Sequence, residues 1–171
     1  SKYELKEYEL AINDFNSAIS VDPTVANYYC NRAMAMDELG KYSDALLDYD
    51  KAIELDTTDE SFFYNRGNTK YSVEDYTSAL TDYNMAIKIN ASNQDQYNNR
   101  GLAKYQLKEY RNAIDDFTKA IELDYTDGDF FYNRALCKIE MKELTSACDD
   151  LEKAKNLGNK DAKSMIKKNC K

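Results

Sequence analysis

The apolar positions of residues 94–127 form two helical runs separated by a polar break. In the first run, small and aromatic residues recur every four positions, at Tyr97, Gly101 and Tyr105. After Lys108 and Glu109 the same spacing resumes, at Ala113, Phe117, Ala120 and Ile121. Two helices of about a dozen residues joined by a short turn predict an antiparallel hairpin.

This hairpin pattern recurs along the chain at a constant step. The arginines of a repeated Asn-Arg-Ala/Gly string stand at positions 32, 66, 100 and 134, so each interval is 34 residues. Small residues keep the same step at Ala45, Ala79, Ala113 and Ala147, and at Ala52, Ala86, Ala120 and Ala154. The sequence therefore predicts one all-α domain over 1–171. Its parts are half a repeat (1–25), four repeats (26–59, 60–93, 94–127 and 128–161) and a C-terminal capping helix (162–171).

The aromatic, Gly/Ala and Ala positions of this 34-residue helix–turn–helix resemble the tetratricopeptide repeat (TPR) family. The resemblance covers nearly the whole chain, although the proline expected at each repeat junction survives only as Pro23. It implies an α-solenoid, a right-handed superhelix of antiparallel hairpins, with a concave groove lined by the first helix of each repeat. Because stacked repeats leave a long surface open, the resemblance implies a scaffold that binds peptides or proteins.

The two ends of the chain differ from its repeats. Residues 1–25 supply only a second helix, whose apolar side lacks its usual partner, at Tyr8, Ala11, Phe15 and Ile19. Since solenoids usually end in a polar cap, we expect further repeats upstream in a longer protein. Self-association through this uncovered end is the alternative.

Hydroxyl residues precede each predicted first helix, at Thr24, Thr58, Ser92 and Thr126. We expect their hydroxyls to accept an unpaired backbone N–H at the helix start. Asp95 and Asp129 follow two of them by three residues, which predicts a variant of the capping box.

An asparagine column and an arginine column run through the repeats. The asparagines are Asn31, Asn65, Asn99 and Asn133. In the TPR family, notably in the protein O-GlcNAc transferases, asparagines of the matching column hold peptide main chain, and the resemblance carries that role to these four. Their amides offer both a donor and an acceptor. In the alternative, each amide bonds a neighbouring repeat and fixes the repeat geometry.

The arginines are Arg32, Arg66, Arg100 and Arg134, and an equally regular aspartate column includes Asp48, Asp82, Asp116 and Asp150. Matched columns of opposite charge predict ion pairs between facing helices, because the guanidinium fork suits a partly buried carboxylate. In the alternative, the arginines bind a ligand carboxylate.

Helical spacing predicts the other groove residues. They are Tyr64, Asn68, Tyr71, Asn98, Leu102, Tyr105 and Tyr132. Acidic residues such as Asp37 share this face and no Lys or Arg does, which favours a neutral or basic extended partner. In the alternative, some of these tyrosines pack between repeats.

Charge and composition narrow the function further. The net charge of −8 opposes phosphate binding, so we expect no nucleic-acid partner. The chain has no His, and its four cysteines show no CxxC pair, so we expect no metal, no cofactor and no enzyme activity. We expect all four cysteines to be reduced apolar fillers, with a slight preference for a reducing, cytoplasmic compartment. The sequence has no apolar run of membrane-spanning length.

The leading hypothesis is a peptide- or protein-binding scaffold that holds an extended segment of its partner in the concave groove. The alternatives are a self-assembly module and the substrate-recruiting domain of a larger enzyme.

Overall fold

The computed structural model describes residues 2–170, with side chains from residue 6 onward. These residues form ten α-helices and no strand, so the all-α prediction is confirmed. The helices are α1 (Lys2–Val21), α2 (Ala26–Glu38), α3 (Tyr42–Leu55), α4 (Glu60–Ser72), α5 (Tyr76–Ile89), α6 (Gln94–Gln106), α7 (Tyr110–Leu123), α8 (Gly128–Glu140), α9 (Leu144–Asn156) and α10 (Ala162–Asn169).

The chain divides into two compact units, Ser1–Asn90 and Ala91–Lys171. The first unit contains α1 and the hairpins α2–α3 and α4–α5. The second contains the hairpins α6–α7 and α8–α9, followed by α10. Within each unit every helix packs on its neighbours along the chain, as stacked helical hairpins do. The assignment of residues 1–171 to one domain stays a prediction.

Small residues allow the two helices of a hairpin to pack closely. Ala45, Ala79, Ala113 and Ala147 are all fully buried. A Cβ on Gly67 would lie 2.8 Å from Cε1 of Tyr83, and a Cβ on Gly101 would lie 2.8 Å from Cε1 of Phe117. The glycines therefore make room for an aromatic ring of the second helix.

A left-handed residue ends the first helix of each hairpin. The four are Gly40 (φ 70°), Glu74 (φ 64°), Lys108 (φ 62°) and Lys142 (φ 63°). The backbone N–H groups at and after this residue bond back into the helix, as when Lys108 N donates to Tyr105 O at 2.9 Å. The break predicted at Lys108 and Glu109 is confirmed, since α6 ends at Gln106 and α7 begins at Tyr110.

The hydroxyl-capping prediction is wrong, because the N-cap falls one residue later. The N-caps of α4, α6 and α8 are Asp59, Asn93 and Asp127, and each side chain accepts the backbone N–H two residues on. The N-cap of α2 is Val25, which makes no side-chain cap. Thr58 and Thr126 instead donate their hydroxyls to Asp56 and Asp124, each at 2.7 Å. An aspartate two residues upstream thus takes up the hydroxyl in a local turn.

A disulfide joins Cys148 of α9 to Cys170, with 5.8 Å between the two Cα atoms. The expectation of four reduced cysteines is therefore wrong for this pair, while Cys30 and Cys137 are free thiols in the core. The reason is tertiary: α10 folds back against α9 and brings together two residues that lie 22 apart in sequence. The disulfide also removes the basis for preferring a reducing compartment.

Terminal helices cover apolar clusters in both units. Ile19 of α1 packs against the buried cluster around Tyr29 and Tyr49. Met165 and Ile166 of α10 pack against the cluster that contains Phe131 and Leu151. Helix α10 thus occupies the position predicted for a capping helix.

Candidate functional site

The arginine and aspartate columns link the two helices of each hairpin. Every arginine makes a two-pronged ion pair with the aspartate 16 residues later. In every pair, the Nε and Nη2 atoms of the arginine lie 2.6–2.9 Å from the two carboxylate oxygens of the aspartate. The pairs are Arg32–Asp48, Arg66–Asp82, Arg100–Asp116 and Arg134–Asp150. All four aspartates are buried. These contacts place the arginines in the framework, where the fork of the guanidinium matches the carboxylate.

Three of these arginines also reach the helix that precedes their own along the chain. Nη1 of Arg32 donates to Asn16 at 2.6 Å, Nη1 of Arg66 donates to Asp50 at 2.6 Å, and Nη1 of Arg134 donates to Thr118 at 3.1 Å. Each guanidinium also lies 5.5–5.8 Å from the ring centroid of an aromatic residue three positions earlier. Within each unit, these arginines therefore join neighbouring repeats as well as the paired helices of a hairpin.

A column of lysines that was not predicted from the sequence also contacts these aspartates. Lys70, Lys104 and Lys138 follow their arginines by one helical turn and contact the same aspartates, at 2.8, 2.8 and 2.6 Å. The sequence does contain this pattern, because the three lysines recur every 34 residues. The first hairpin has Met36 at this position, so no lysine of α2 joins the ion pair of Arg32 with Asp48.

The asparagine column lies on the first helices, but its members differ. Asn31 is exposed. Nδ2 of Asn65 donates to Sγ of Cys30 at 3.8 Å, and Nδ2 of Asn133 donates to Oδ1 of Asn98 at 3.0 Å. Both bonds cross to the preceding hairpin, as expected if the column fixes the repeat geometry. Each of these bonds uses the Nδ2 donor of the amide, and the Oδ1 acceptor can still bind another group. Peptide binding by this column stays a proposal.

In the first unit, α2, α4 and the start of α3 enclose a cleft of about 480 Å³. Its lining includes Met34, Asp37, Glu38, Tyr42, Asn65 and Asn68. The first helices of two successive hairpins thus form one concave surface. The lining contains two carboxylates and no Lys or Arg.

Asp37 anchors a polar network beside this cleft. Its Oδ2 accepts hydrogen bonds from the hydroxyls of Tyr49 at 2.9 Å and Thr69 at 2.7 Å. Its Oδ1 is buried and has no hydrogen-bond partner. Burial raises the pKa of Asp37, and the two hydroxyl bonds offset part of that rise. Sequence spacing placed Asp37 on this face, but it did not indicate Tyr49 or Thr69.

The other predicted groove residues of the first unit have aromatic and polar partners. The hydroxyl of Tyr83 donates to Oδ1 of Asn68 at 2.9 Å. The Tyr64 ring lies 6.2 Å from that of Tyr83, and the Tyr71 ring lies 5.2 Å from that of Tyr76. All three predicted residues are half-buried, as expected if tyrosines of this face also pack between helices.

In the second unit, the face formed by α6 and α8 is more apolar. Leu102 and Tyr105 pack against a buried cluster of Ala113, Phe117 and Cys137. Tyr132 packs at the edge of the cluster that α10 covers. Burial raises the pKa of the Cys137 thiol to about 12 and also raises the pKa of Tyr105. These groups are uncharged near neutral pH.

Two properties of the described residues bear on other functions. No group of three or more His, Cys, Asp or Glu side chains among them has a metal-binding arrangement. Within residues 2–170, none of the helices combines the length and the apolar character needed to cross a bilayer.

Comparison with known families gives two matches. Residues 95–124 match the model described as tetratricopeptide repeat. Residues 38–73 and 67–108 match a second model, described as TPR repeat. Together the matches span residues 38–124, about half of the chain. A search of curated proteins finds no match.

Solved structures resemble the chain over most of its length. The crystal structure of MamA is 22% identical, with a TM-score of 0.86 over 92% of this chain and 92% of that chain. YrrB, described as a TPR protein with an unusual peptide-binding site, is 21% identical, with a TM-score of 0.83 over 95% and 84%. PilF of Pseudomonas aeruginosa is 20% identical, with a TM-score of 0.84 over 94% and 73%. At these identities the likeness shows the fold.

Proposed function

Since this chain belongs to the tetratricopeptide repeat family, we propose that it is a non-catalytic scaffold that holds an extended segment of a partner protein. The segment lies against the first helices of the repeats. The observation that supports this most strongly is the cleft between α2 and α4, which carries both apolar and hydrogen-bonding side chains. The likeness to YrrB, itself described as having a peptide-binding site, is consistent with this role.

The bound segment is neutral or basic. The cleft of the first unit carries two carboxylates and no basic side chain, and the chain as a whole has a net charge of −8. The arginines of the first helices are engaged by buried aspartates, so they do not offset these acids. Long-range attraction therefore favours segments with Lys or Arg over acidic ones.

The asparagine column supplies hydrogen bonds to the peptide main chain. We assign this role to Asn65, Asn99 and Asn133, whose amides offer groups of both kinds. Each neutral hydrogen bond contributes about 0.5–1.5 kcal/mol, so removing three weakens affinity by roughly ten- to a thousandfold.

The test combines selection and mutation. A displayed library of random 12-residue peptides is selected on the 171-residue chain, and the affinity of a selected peptide is measured by calorimetry for the wild type and for the triple Asn→Ala variant. The expected result is weaker binding with little change in melting temperature. A variant that melts several degrees lower but binds normally when folded would refute the main-chain role. A wild type that selects no peptide would refute the proposed function.

Self-association through α1 is the second candidate function. Leu10 and Val21 of this helix are exposed, by 54% and 88%. We infer that these side chains contribute to contact with a second copy. Light scattering over a hundredfold range of concentration tests this: a rise in mean mass, abolished by Leu10→Lys, supports it, and a constant monomer mass refutes it.

A further inference from the structure

The cleft of the first unit has a carboxylate at a repeat position where the other three repeats have none. In the four repeats, the position of Asp37 is occupied by Asp37, Tyr71, Tyr105 and Ile139. A carboxylate therefore occurs at this position only in the first hairpin. There it is half-buried between α2 and α4, at the wall of a cleft of about 480 Å³.

The charge of Asp37 is incompletely satisfied within the protein. Two hydroxyl groups, from Tyr49 and Thr69, bond to one of its oxygens, and both are neutral donors. The other oxygen is buried and accepts no hydrogen bond. A buried carboxylate without a cationic partner is costly, because the desolvation of the charge is not offset. Glu38, the next residue, adds a second negative charge to the same cleft.

The bases of the two first helices that line the cleft, α2 and α4, are committed elsewhere. Arg66 and Lys70 of α4 both contact the buried carboxylate of Asp82, at 2.6 and 2.8 Å. Arg32 of α2 is paired with Asp48 at 2.6 Å. The cleft therefore presents negative charge that the bases of α2 and α4 do not neutralise.

The walls of the cleft suit a long side chain that ends in a positive charge. Met34 and Tyr42 line it and are exposed by 46% and 36%, so they offer apolar surface at its mouth. Lys and Arg side chains lay their methylene stems along such surface while the charged end seeks polar partners. Asn68 and Ser72, which also line the cleft, provide polar groups.

We propose that this cleft, around Asp37, binds the side chain of one lysine or arginine of the partner segment. The inference rests on the proposed function, since it assumes that a peptide lies along the first helices. The ammonium or guanidinium group brings to Asp37 a positive charge that no base of α2 or α4 provides. The cleft therefore fixes the register of the peptide, whereas the asparagine column holds its main chain without reading side chains.

The test uses the peptide selected from the random 12-residue library described above. The first readout is composition: selected peptides should be enriched in Lys or Arg at one aligned position. The second is a double-mutant cycle. It combines Asp37→Asn, which retains an oxygen to accept the Tyr49 and Thr69 hydroxyls, with replacement of the peptide lysine or arginine by norleucine.

We expect each single change to weaken binding by about tenfold and the two together to cost little more than either alone. The matched control, Glu54→Gln, removes one carboxylate from an exposed position of α3 in the same unit and should change affinity less than twofold. Asp37→Asn should leave binding of the norleucine peptide unchanged, which a merely structural role would not predict.

The outcomes separate the two proposals. Selected peptides without an aligned basic residue, or independent effects of the two changes, would overturn the cation cleft and leave peptide binding intact. A chain that selects no peptide would overturn both.

Discussion

The contact between α2 and α4 in the first unit and the contact between α6 and α8 in the second use the same repeat positions with opposite chemistry. In the first unit these positions hold Asp37 and Thr69, which share a hydrogen bond of 2.7 Å. In the second they hold Tyr105 and Cys137, which pack in an apolar cluster with Phe117. One backbone pattern therefore supports a polar contact beside an open cleft in one unit and a hydrophobic contact in the other.

The two units share their ion pairs and differ at other positions of the first helices. The ion pairs of the arginine column are the same in both units, with buried aspartates at Asp48, Asp82, Asp116 and Asp150. The variable positions lie about one turn beyond the arginines on the first helix, on the face that we propose binds a ligand. An apolar contact stabilises the fold at any pH, whereas a buried carboxylate costs stability and needs another reason to be present.

The largest effect should come from truncating the apolar contact. Phe117 is fully buried, so Phe117→Ala should lower the free energy of unfolding by about 3–5 kcal/mol. Tyr49→Phe, at the same repeat position of the first unit, keeps the ring and removes the hydroxyl that donates to Asp37, so it should cost about 1 kcal/mol. Urea unfolding followed by circular dichroism measures both. Equal losses would mean that the two contacts do not differ as described.

The second effect concerns a link that only the second unit has among the described residues. Cys148–Cys170 closes a loop of 22 residues, and cross-links of this size stabilise by about 3 kcal/mol. Urea unfolding with and without dithiothreitol should show that loss, and the Cys148→Ser/Cys170→Ser variant should be as stable as the reduced wild type. A reductant that leaves the stability of the wild type unchanged would contradict the prediction.

The sequence was sufficient for the repeated parts of the fold. The 34-residue step located each helix pair, because the same small, aromatic and charged residues recur at each contact. The Arg–Asp columns were readable for the same reason. The predictions that were wrong concern features that do not recur in every repeat. The Cys148–Cys170 bond depends on how α10 packs against α9, and no repeated position of the sequence indicates that contact. The N-caps were misplaced by one residue, since Thr58 and Asp59 are both good capping residues and composition does not choose between them.

The candidate site was less readable from the sequence. Helical spacing placed Asp37, Asn65 and Tyr105 on the first-helix face, but it could not show which partners each has. The bond from Thr69 to Asp37 spans 32 residues and joins two hairpins, so it depends on their relative position. The contact of Asn65 with Cys30 is of the same kind. Residues that recur at one repeat position can be predicted to share a surface. Which of their side chains are available to a ligand depends on how neighbouring hairpins pack.

The third prediction tests the polar contact through its pH dependence. Burial raises the pKa of Asp37 in the folded chain. At pH values between the pKa of the unfolded chain and that of the folded chain, the folded state therefore binds more protons than the unfolded state. The penalty of its charge is therefore relieved as pH falls through the folded pKa. Asp37→Asn carries no charge at any pH, so it should raise the melting temperature at pH 7 and raise it less at pH 4. Thermal melts of both proteins at the two pH values measure this, and a gain that is equal at both would exclude a charge effect.

The smallest effect should be common to both units, because it belongs to the shared backbone. Glu74 in the first unit and Lys108 in the second end their helices at φ 64° and 62°, where a Cβ is strained by about 1–2 kcal/mol. Glycine removes that strain but loses about 0.5–1 kcal/mol through the greater freedom of the unfolded chain. Glu74→Gly and Lys108→Gly should therefore each stabilise by about 0.5 kcal/mol. Gly40→Ala is the converse: a Cβ there meets no atom within 4 Å, so its cost is that of the backbone alone. Urea midpoints for the three variants measure these changes. Gains that differ between Glu74→Gly and Lys108→Gly would mean that the two units do not share one framework, and that their contrast extends beyond the side chains of the first-helix faces.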